Sequence, residues 1–360
     1  MDSPVSRRVA LVHNPNHVLH RSESSSPENP ERLTRIIQYL KARTSLLADG
    51  PCTLITDFPP ASEEDILRVH DKTYLEFLRR TAQRGSTFLG DSTYLSPQTY
   101  AVAASAAGGA IEALKLVATL KYDASFALVR PPGHHASADR FGGYCVMNNA
   151  AIAIRHVQAM LGVQKVMVVD WDAHAGNGTM RIFYEDPSVL VVSMHRDPNE
   201  HYPHDGFGHQ IGRGPGRGYN VNVEMPEAAG DSEYKLVFEE LVLPLARSYQ
   251  PDLVVGLVGF DAHYKDGQSG LNMTSGGYHS LTDSLMGLRG KAALIFEGGY
   301  SSANPVISHA VISALAGLPP PFEDGVDALS SAVTRRKKTR AILEDNIADL
   351  KELLREFHGL

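Results

Sequence analysis

The chain alternates between short apolar runs and longer segments in which apolar residues recur with helical spacing. Several runs, such as Leu253–Val258 and Ala292–Phe296, contain no polar side chain, which is typical of strands buried on both faces. The pattern predicts strands at 8–12, 125–129, 165–170, 189–193, 253–258 and 292–296, and helices at 30–43, 98–120, 148–161, 231–249, 276–288 and 304–315. This alternation indicates an α/β fold in which crossover helices cover both faces of a parallel sheet.

No internal repeat and no long Pro/Ser/Gly-rich linker divides this pattern. We therefore expect a single domain over residues 1–360, with a core at about 10–320 and a helical extension at about 334–358. Some irregular segments are long and rich in Gly, His and Pro, namely 13–30, 195–218 and 261–275. They fall where the walls of an active site lie in such sheets.

Composition narrows the class of protein. A hydrophobic content of 43% with 21% charged residues is typical of soluble globular proteins. The net charge of -7 argues against a dedicated nucleic-acid binder, which needs a basic face for phosphates. We find no signal peptide and no membrane span, and two cysteines cannot form a disulfide framework. We therefore expect a cytoplasmic protein. The basic stretch at 334–340 is interpreted first as a solvated helix start, with a nuclear import signal as the alternative if the source is eukaryotic.

Acidic and histidine residues follow two of the apolar runs. Asp172 and His174 come directly after the predicted strand 165–170, and Asp261 follows the strand 253–258. Because ligands bind beyond the carboxyl ends of strands in open α/β sheets, we expect these side chains to converge. Two carboxylates and one imidazole suit Zn²⁺, and also Fe²⁺, Mn²⁺ or Co²⁺, and three ligands leave a position open for catalysis. Taken alone, each carboxylate could instead cap a helix or form a buried salt bridge.

Two further strand ends carry candidate catalytic groups. His134 and His135 follow the sequence Arg-Pro-Pro-Gly, and adjacent histidines in a shaped loop can act as general base and acid. Tyr300 follows a Gly-Gly pair, and its phenol can donate a hydrogen bond to a carbonyl oxygen that becomes anionic. Asp170 and Asn177 flank the metal segment and are candidates to fix the histidine tautomers.

Seven motifs of the chain, taken together, are typical of one known family: Arg130–His135, Phe141–Asn149, Asp170–Gly178, Gly259–Asp261, Glu297–Tyr300, Pro27–Leu33 and Ile66–His70. Through them the chain resembles the zinc-dependent histone deacetylase superfamily. The resemblance is closest to its class II-like branch, which includes acetylpolyamine amidohydrolases and bacterial and archaeal deacetylase-like proteins. It extends from about residue 10 to 320 and implies the arginase-deacetylase fold, with a parallel sheet of about eight strands flanked by helices.

The resemblance implies one catalytic Zn²⁺, held by Asp172, His174 and Asp261. The positions that match the family's catalytic residues are His134, His135, Asp170, Asn177 and Tyr300. Asp170 would support His134 and Asn177 would support His135. Asn177 is typical of the class II-like branch, since other branches carry Asp there and would make the second histidine more basic.

The resemblance also implies a tunnel for an acyl-lysine chain and structural K⁺ ions. Gly143, Tyr144 and Tyr202 match the tunnel walls, and Ser92 matches a rim position that binds the substrate backbone. One K⁺ site would use Asp170, Asp172, His174, Ser193 and Met194. A second would use Phe183, Asp186, Val189 and Tyr219.

Two positions depart from the family pattern. Ala175 stands where the family often has a second histidine, outside the ligand set. Gln268 occupies a gatekeeper position where polyamine-selective relatives carry Glu and many lysine deacetylases an apolar residue. A neutral polar side chain there leaves the selectivity open.

We therefore expect a zinc amidohydrolase that removes acetyl or short acyl groups from amines, with N-ε-acyl-lysine as the first candidate substrate. An acetylpolyamine or another small acylated amine is the alternative. An arginase-like enzyme with two Mn²⁺ is less well supported, because Gly176 and His263 stand where additional carboxylates would be needed. A catalytically silent binding protein is also disfavoured, since every expected catalytic position is filled. We expect no direct nucleic-acid or membrane partner, and homo-oligomerisation stays open.

Overall fold

The computed structural model of the protein describes residues 6–43, 45–289, 291–322 and 333–360. The strands are β1 Val9–His13, β2 Cys52–Ile55, β3 Thr87–Gly90, β4 Thr93–Leu95, β5 Ala124–Leu128, β6 Val166–Asp170, β7 Val189–Arg196, β8 Asn220–Met225, β9 Leu253–Val258 and β10 Ala292–Phe296. The helices are α1 Glu31–Lys41, α2 Glu63–Leu67, α3 Lys72–Gln83, α4 Thr99–Ala118, α5 Asn149–Leu161, α6 Asn177–Phe183, α7 Asp231–Val237, α8 Leu243–Tyr249, α9 Ser275–Arg289, α10 Asn304–Leu315 and α11 Val333–His358.

The described strands form an eight-stranded sheet in the order β2-β1-β5-β10-β9-β6-β7-β8, and every neighbouring pair is parallel. Successive side chains of a strand point to opposite faces, so Val9 and Leu11 of β1 enter one hydrophobic cluster while Ala10 and Val12 enter the other. Helices α1 and α7–α11 cover the first cluster, and α2–α5 cover the second. The predicted α/β architecture, a parallel sheet flanked by helices, is therefore confirmed.

Strand prediction succeeded where the apolar run was continuous and failed at the sheet edges. The bounds of β9 and β10 agree with the prediction, because both strands are buried along their whole length. The edge strand β8 was missed because Asn220 and Asn222 interrupt its apolar residues. The edge strand β2 was missed because it is short and partly exposed. The helix predicted at 231–249 is divided by one π-helical segment, Phe238–Val242, between α7 and α8.

Helix α4 is the one helix of the described residues that is long and apolar enough to cross a membrane by length and composition. In its most apolar window 72% of the residues are buried inside the protein. It packs against α5, β5 and β1, so the structure accounts for its apolar character by burial in the core.

The predicted C-terminal extension is the single helix α11, which packs along β8, α7 and α8. Its buried residues Leu343, Leu350 and Leu354 join the hydrophobic cluster on that face of the sheet. In the basic stretch 334–340, the side chains at 334–336 lie outside the described residues. Residues 1–5, which belong to the segment considered for a signal peptide, also lie outside them. The nuclear interpretation of this stretch stays a prediction.

A buried ion pair ties the loop after β1 to the loop after β5. The side chains of Glu28 and Arg130 are both 0% exposed. The guanidinium of Arg130 donates from Nε and Nη2 to the two oxygens of Glu28 at 2.7 and 2.6 Å. Its Nη1 donates to the carbonyl oxygens of His17 and His20 at 2.5 and 2.8 Å. This bidentate geometry satisfies both charges, so the two loops that flank the sheet edge are held in one arrangement.

We expect Arg130→Met to lower the free energy of unfolding by about 3–5 kcal/mol, because it leaves the buried carboxylate of Glu28 poorly paired. Chemical denaturation measures the change. Arg35→Met is the matched control, since the Arg35–Glu31 pair is 60% and 63% exposed. We expect the control to change stability by less than about 1 kcal/mol. Equal effects of the two substitutions would contradict the role given to the buried pair.

Candidate active site

The candidate catalytic residues all lie at the carboxyl ends of adjacent central strands. Strands β5, β10, β9 and β6 are consecutive neighbours in the sheet. The residues that follow or end them are His134 and His135 for β5, Glu297–Tyr300 for β10, Asp261 for β9, and Asp170–His174 for β6. Parallel pairing brings these ends to the same edge, although they are far apart along the chain.

This edge opens into a cavity of about 300 Å³. Sequence-predicted residues that line it are Ser92, His134, His135, Gly143, Tyr144, Asp172, His174, Tyr202, Gln268 and Tyr300. Additional lining residues, which were not among the predicted site residues, are Asp91, Pro132, His201 and Gly298. Most of the predicted catalytic residues, together with the predicted tunnel walls and rim, therefore line the same cavity.

Asp172, His174 and Asp261 have the geometry of a metal site. Nδ1 of His174 lies 3.2 Å from Oδ1 of Asp172 and 3.0 Å from Oδ2 of Asp261. All their ligand atoms lie within 4.8 Å of one another. In a tetrahedral Zn²⁺ site, neighbouring ligand atoms are about 3.4 Å apart, so the side chains could close on an ion with small adjustments. These three residues fit a zinc ion.

The electrostatics of this cluster also favour a cation. Burial alone would lower the pKa of His174, but hydrogen bonds with Asp172 and Asp261 outweigh burial and raise its pKa to about 10. Gly298 N donates to Oδ2 of Asp172 at 2.8 Å, and Ala173 N donates to Oδ1 of Asp261 at 2.9 Å. The backbone therefore holds both carboxylates in place. A Cβ atom at Gly298 would collide with both carboxylates, which explains the glycine at that position.

Hydrogen bonds fix the two adjacent histidines in defined tautomers. Nδ1 of His134 lies 3.1 Å from Oδ2 of Asp170, and Nδ1 of His135 lies 2.9 Å from Oδ1 of Asn177. Because both acceptors are oxygens, the Nδ1 atoms carry the protons and donate. The Nε2 atom of neutral His135 is then free to accept a proton.

The two imidazoles differ in their preferred charge. Burial disfavours the charged form of His134, but the carboxylates of Asp172 and Asp170 outweigh it and raise the pKa to about 10. Burial, together with the neighbouring His134 and His174, lowers the pKa of His135 well below 6.5. His134 thus favours the protonated form, whereas His135 favours the neutral form.

Tyr300 is braced from two sides of the cavity. Its backbone N donates to Oδ2 of Asp266 at 2.7 Å, and the guanidinium of Arg32 lies 4.6 Å from its ring centroid. The ring of Tyr144 lies 5.5 Å away. Burial raises the pKa of the Tyr300 phenol well above its usual value, so the hydroxyl keeps its proton and can act as a donor.

Comparisons with known proteins agree with this geometry. Residues 26–317 match the model of the histone deacetylase domain. The chain belongs to the histone deacetylase family. It is 38% identical over 317 residues to histone deacetylase HDA1 of Saccharomyces cerevisiae, a match covering 82% of this chain and 45% of the yeast protein. The chain therefore spans less than half of that relative.

Other relatives match the chain over almost its whole length. A probable deacetylase of Archaeoglobus fulgidus is 31% identical over 354 residues, covering 96% of this chain and 97% of the relative. The crystal structure of the HDA15 HD domain superposes with a TM-score of 0.86 at 31% identity, covering 98% of this chain and 96% of that chain.

Glu297 is a functional candidate that was not among the site residues predicted from sequence. Its Oε2 accepts hydrogen bonds from the backbone N of Gly133 at 2.7 Å and of His134 at 3.2 Å. Burial raises the pKa of Glu297 to about 7, although the charge of His134 acts in the opposite direction. The Glu297 side chain thus supports the loop that carries the two histidines. Its position directly after an apolar strand was the available signal.

The rim of the cavity is held by contacts between separate loops. The hydroxyl of Tyr202 donates to Oδ2 of Asp91 at 2.8 Å, and Gly143 N donates to the carbonyl oxygen of Asp91 at 3.0 Å. Ser92 and Gln268 complete the rim from the β3–β4 turn and from the segment after β9. Asp91 was not predicted, because no periodic pattern marks a turn residue whose partner is 111 positions away.

Several residues of each predicted K⁺ site are neighbours in the structure. Asp170 pairs with Ser193 across β6 and β7, and the Ser193 hydroxyl lies 2.8 Å from Nδ1 of His195. In the second set, backbone hydrogen bonds join Asp186 to Phe183 and Val189 to Asp186, and Tyr219 accepts from the backbone of β7. Both K⁺ sites stay predictions.

Gly143→Ala should reduce kcat/KM by about 10²-fold or more, the effect of a misplaced catalytic group. The added Cβ would collide with the imidazole of His135, and Gly143 has a φ of +48°. Steady-state kinetics on an acyl-lysine peptide measures the loss.

Gly162→Ala is the matched control for that substitution. Gly162 also has a positive φ, +71°, but nothing lies within 4 Å of its Cβ position at the end of α5. We expect this variant to lose about 1 kcal/mol of stability and to keep its activity. Normal activity in the Gly143 variant would show that the cavity tolerates a displaced His135.

Proposed function

We propose that this protein is a zinc-dependent deacylase that removes acetyl or short acyl groups from amines, with N-ε-acyl-lysine as its substrate. One observation carries the proposal: Asp172 and His174, which cluster with the buried Asp261, line the same cavity as the histidine pair and Tyr300. Hydrolysis of an amide by a metal enzyme requires ligands for the metal, a group that carries protons and a hydrogen-bond donor for the oxyanion. This cavity contains all three.

Asp172, His174 and Asp261 would hold the zinc ion. When bound, Zn²⁺ supplies Lewis-acid polarisation of the amide carbonyl and of the attacking water. His135 takes a proton from that water on Nε2, because its Nδ1 is committed to Asn177. The hydrogen bond with Asp170 keeps the imidazole of His134 oriented beside His135. Nε2 of His134 then lies 3.7 Å from Oδ1 of Asp172.

Tyr300 stabilises the carbonyl oxygen as negative charge develops on it. The phenol is a neutral donor whose loop is anchored through Asp266, so it needs little rearrangement when the charge appears. His135 then returns its proton to the amine nitrogen as the C–N bond breaks. Water is consumed, and the products are a carboxylic acid and a free amine.

The cavity wall supports acyl-lysine over an acetylpolyamine. Gly143, Tyr144 and Tyr202 give the cavity an uncharged, mainly aromatic wall that suits an uncharged acyl-lysine chain. Gln268 is neutral and lacks the charge that would attract the second ammonium group of a polyamine. Acetylpolyamines therefore remain the second candidate substrates.

A two-manganese ureohydrolase is less well supported by the residues at the site. Gly176 has no side chain to contribute, and a Cβ there would collide with the carboxylate of Asp170. His263 is buried beneath Tyr264, with ring centroids 4.6 Å apart. Neither position supplies the carboxylates that a second Mn²⁺ would require.

Tyr300→Phe should lower kcat by about 10²-fold or more, because one hydrogen-bond donor to the developing oxyanion is lost. The zinc content should stay at one per chain, since Tyr300 is not among the clustered ligands. Turnover of an acetyl-lysine peptide and metal analysis of the same sample measure both effects. A variant with near-normal turnover would refute the role of the phenol.

The wild-type protein should bind one zinc and show a higher kcat/KM for acyl-lysine peptides than for acetylputrescine or acetylspermidine. Gln268→Glu should raise kcat/KM for the acetylpolyamines by about 10-fold, because a carboxylate attracts their ammonium groups. Gln268→Leu is the control that removes polarity without adding charge. A wild-type preference for acetylpolyamines would transfer the proposal to the second substrate class. Two manganese ions with urea release would overturn it.

A further inference from the structure

A second imidazole lies against the outer side of the proposed zinc ligand His174. Nε2 of His201 is 3.2 Å from Nε2 of His174. The two rings are stacked, with centroids 4.8 Å apart and planes inclined by 25°. His201 also lines the cavity, and it was not among the residues predicted from the sequence.

The positions of the protons on this pair follow from the metal cluster. His174 presents Nδ1 to Asp172 and Asp261, so a bound cation takes the lone pair of Nδ1. A neutral imidazole that binds through Nδ1 carries its proton on Nε2 and must donate it. Nε2 of His201 is therefore the acceptor, and His201 carries its own proton on Nδ1.

Among the described residues, His201 is the one that forms a hydrogen bond with Nε2 of His174. A metal-bound histidine whose second nitrogen donates to an acceptor is fixed in orientation and is a more basic ligand. A phenyl ring at position 201 could preserve the stacking but could not accept this hydrogen bond. The interaction therefore does more than fill space.

His201 is itself held by the backbone of its loop. Its backbone N donates to the carbonyl oxygen of Asp197 at 3.0 Å, and Asp197 N donates to that of Met225 at the end of β8 at 3.1 Å. Arg196 N donates to the carbonyl oxygen of Ala173 at 2.9 Å, which ties the end of β7 to the metal segment. The loop and the ligand segment are thus linked by both backbone and side-chain contacts.

We propose that His201 is a positioning residue for the metal centre: it accepts the Nε2 proton of His174, orients that ligand, and strengthens its bond to zinc. This inference rests on the zinc centre of the proposed function. It concerns metal affinity rather than the chemical step, because His201 contacts the ligand and not the ligand's metal-facing nitrogen.

The test compares the zinc affinity of the full chain and its variants by chelator competition, starting from metal-free protein. His201→Phe should weaken Zn²⁺ binding by about 10- to 100-fold, the usual effect of removing such a partner. His201→Gln, which retains an acceptor, should recover part of that loss. The absorption spectrum of Co²⁺-substituted protein should change in His201→Phe, since the ligand field depends on His174.

His209→Phe is the matched control, because His209 is an exposed histidine that stacks on Phe207 in the same segment. Its zinc affinity should equal that of the wild type. The melting temperatures of the metal-free variants should agree, which separates a metal effect from a loss of structure. If His201→Phe fails to fold, His201→Leu, which likewise cannot accept the hydrogen bond, replaces it in the comparison.

An unchanged zinc affinity and Co²⁺ spectrum in His201→Phe, beside a zinc-loaded and active wild type, would overturn this inference alone. A wild-type protein without zinc affinity would overturn the proposed function, and this inference with it. The two failures therefore give different results.

Discussion

The concentration of buried negative charge at one sheet edge governs the rest of this structure. Asp170, Asp172, Asp261 and Glu297 are all buried at the ends of the neighbouring strands β6, β9 and β10. Carboxylates in such surroundings lose their hydration and must be compensated by donors or cations. Backbone N–H groups, imidazoles and glycines that allow close approach surround them here. The remaining excess of negative charge is what makes this edge suited to a divalent cation.

Two buried arginines, Arg32 and Arg130, connect the surrounding loops to this edge of the sheet. Arg32, at the start of α1, donates from Nε to the carbonyl oxygen of Gly299 at 2.7 Å and from Nη2 to that of Glu297 at 2.6 Å. Its Nη1 lies 3.3 Å from Oε1 of Glu28, the same carboxylate that binds Arg130. One buried carboxylate thus connects the loop of the paired histidines with the loop of the phenol. Stability and catalytic geometry share these contacts.

The sequence could reveal residues that follow long buried strands, and little beyond them. Asp172 and Asp261 were recognisable because continuous apolar runs precede them, and parallel sheets bring such ends together. His201 and Asp91 were not, because each lies in an irregular segment and its partner, His174 or Tyr202, is 27 or 111 positions away. Loop residues carry no periodicity, so only the folded chain shows which of them meet.

The strand order also determines when such a site can exist during folding. Strand β10 is the last strand along the described chain, yet it lies between β5 and β9 in the middle of the sheet. Before it is inserted, the chain can form only two separate half-sheets, β2-β1-β5 and β9-β6-β7-β8, each with an open edge. The contact between Arg32 and Gly299 spans 267 positions and closes at the same stage. During synthesis, therefore, the cavity is completed only after β10 has left the ribosome.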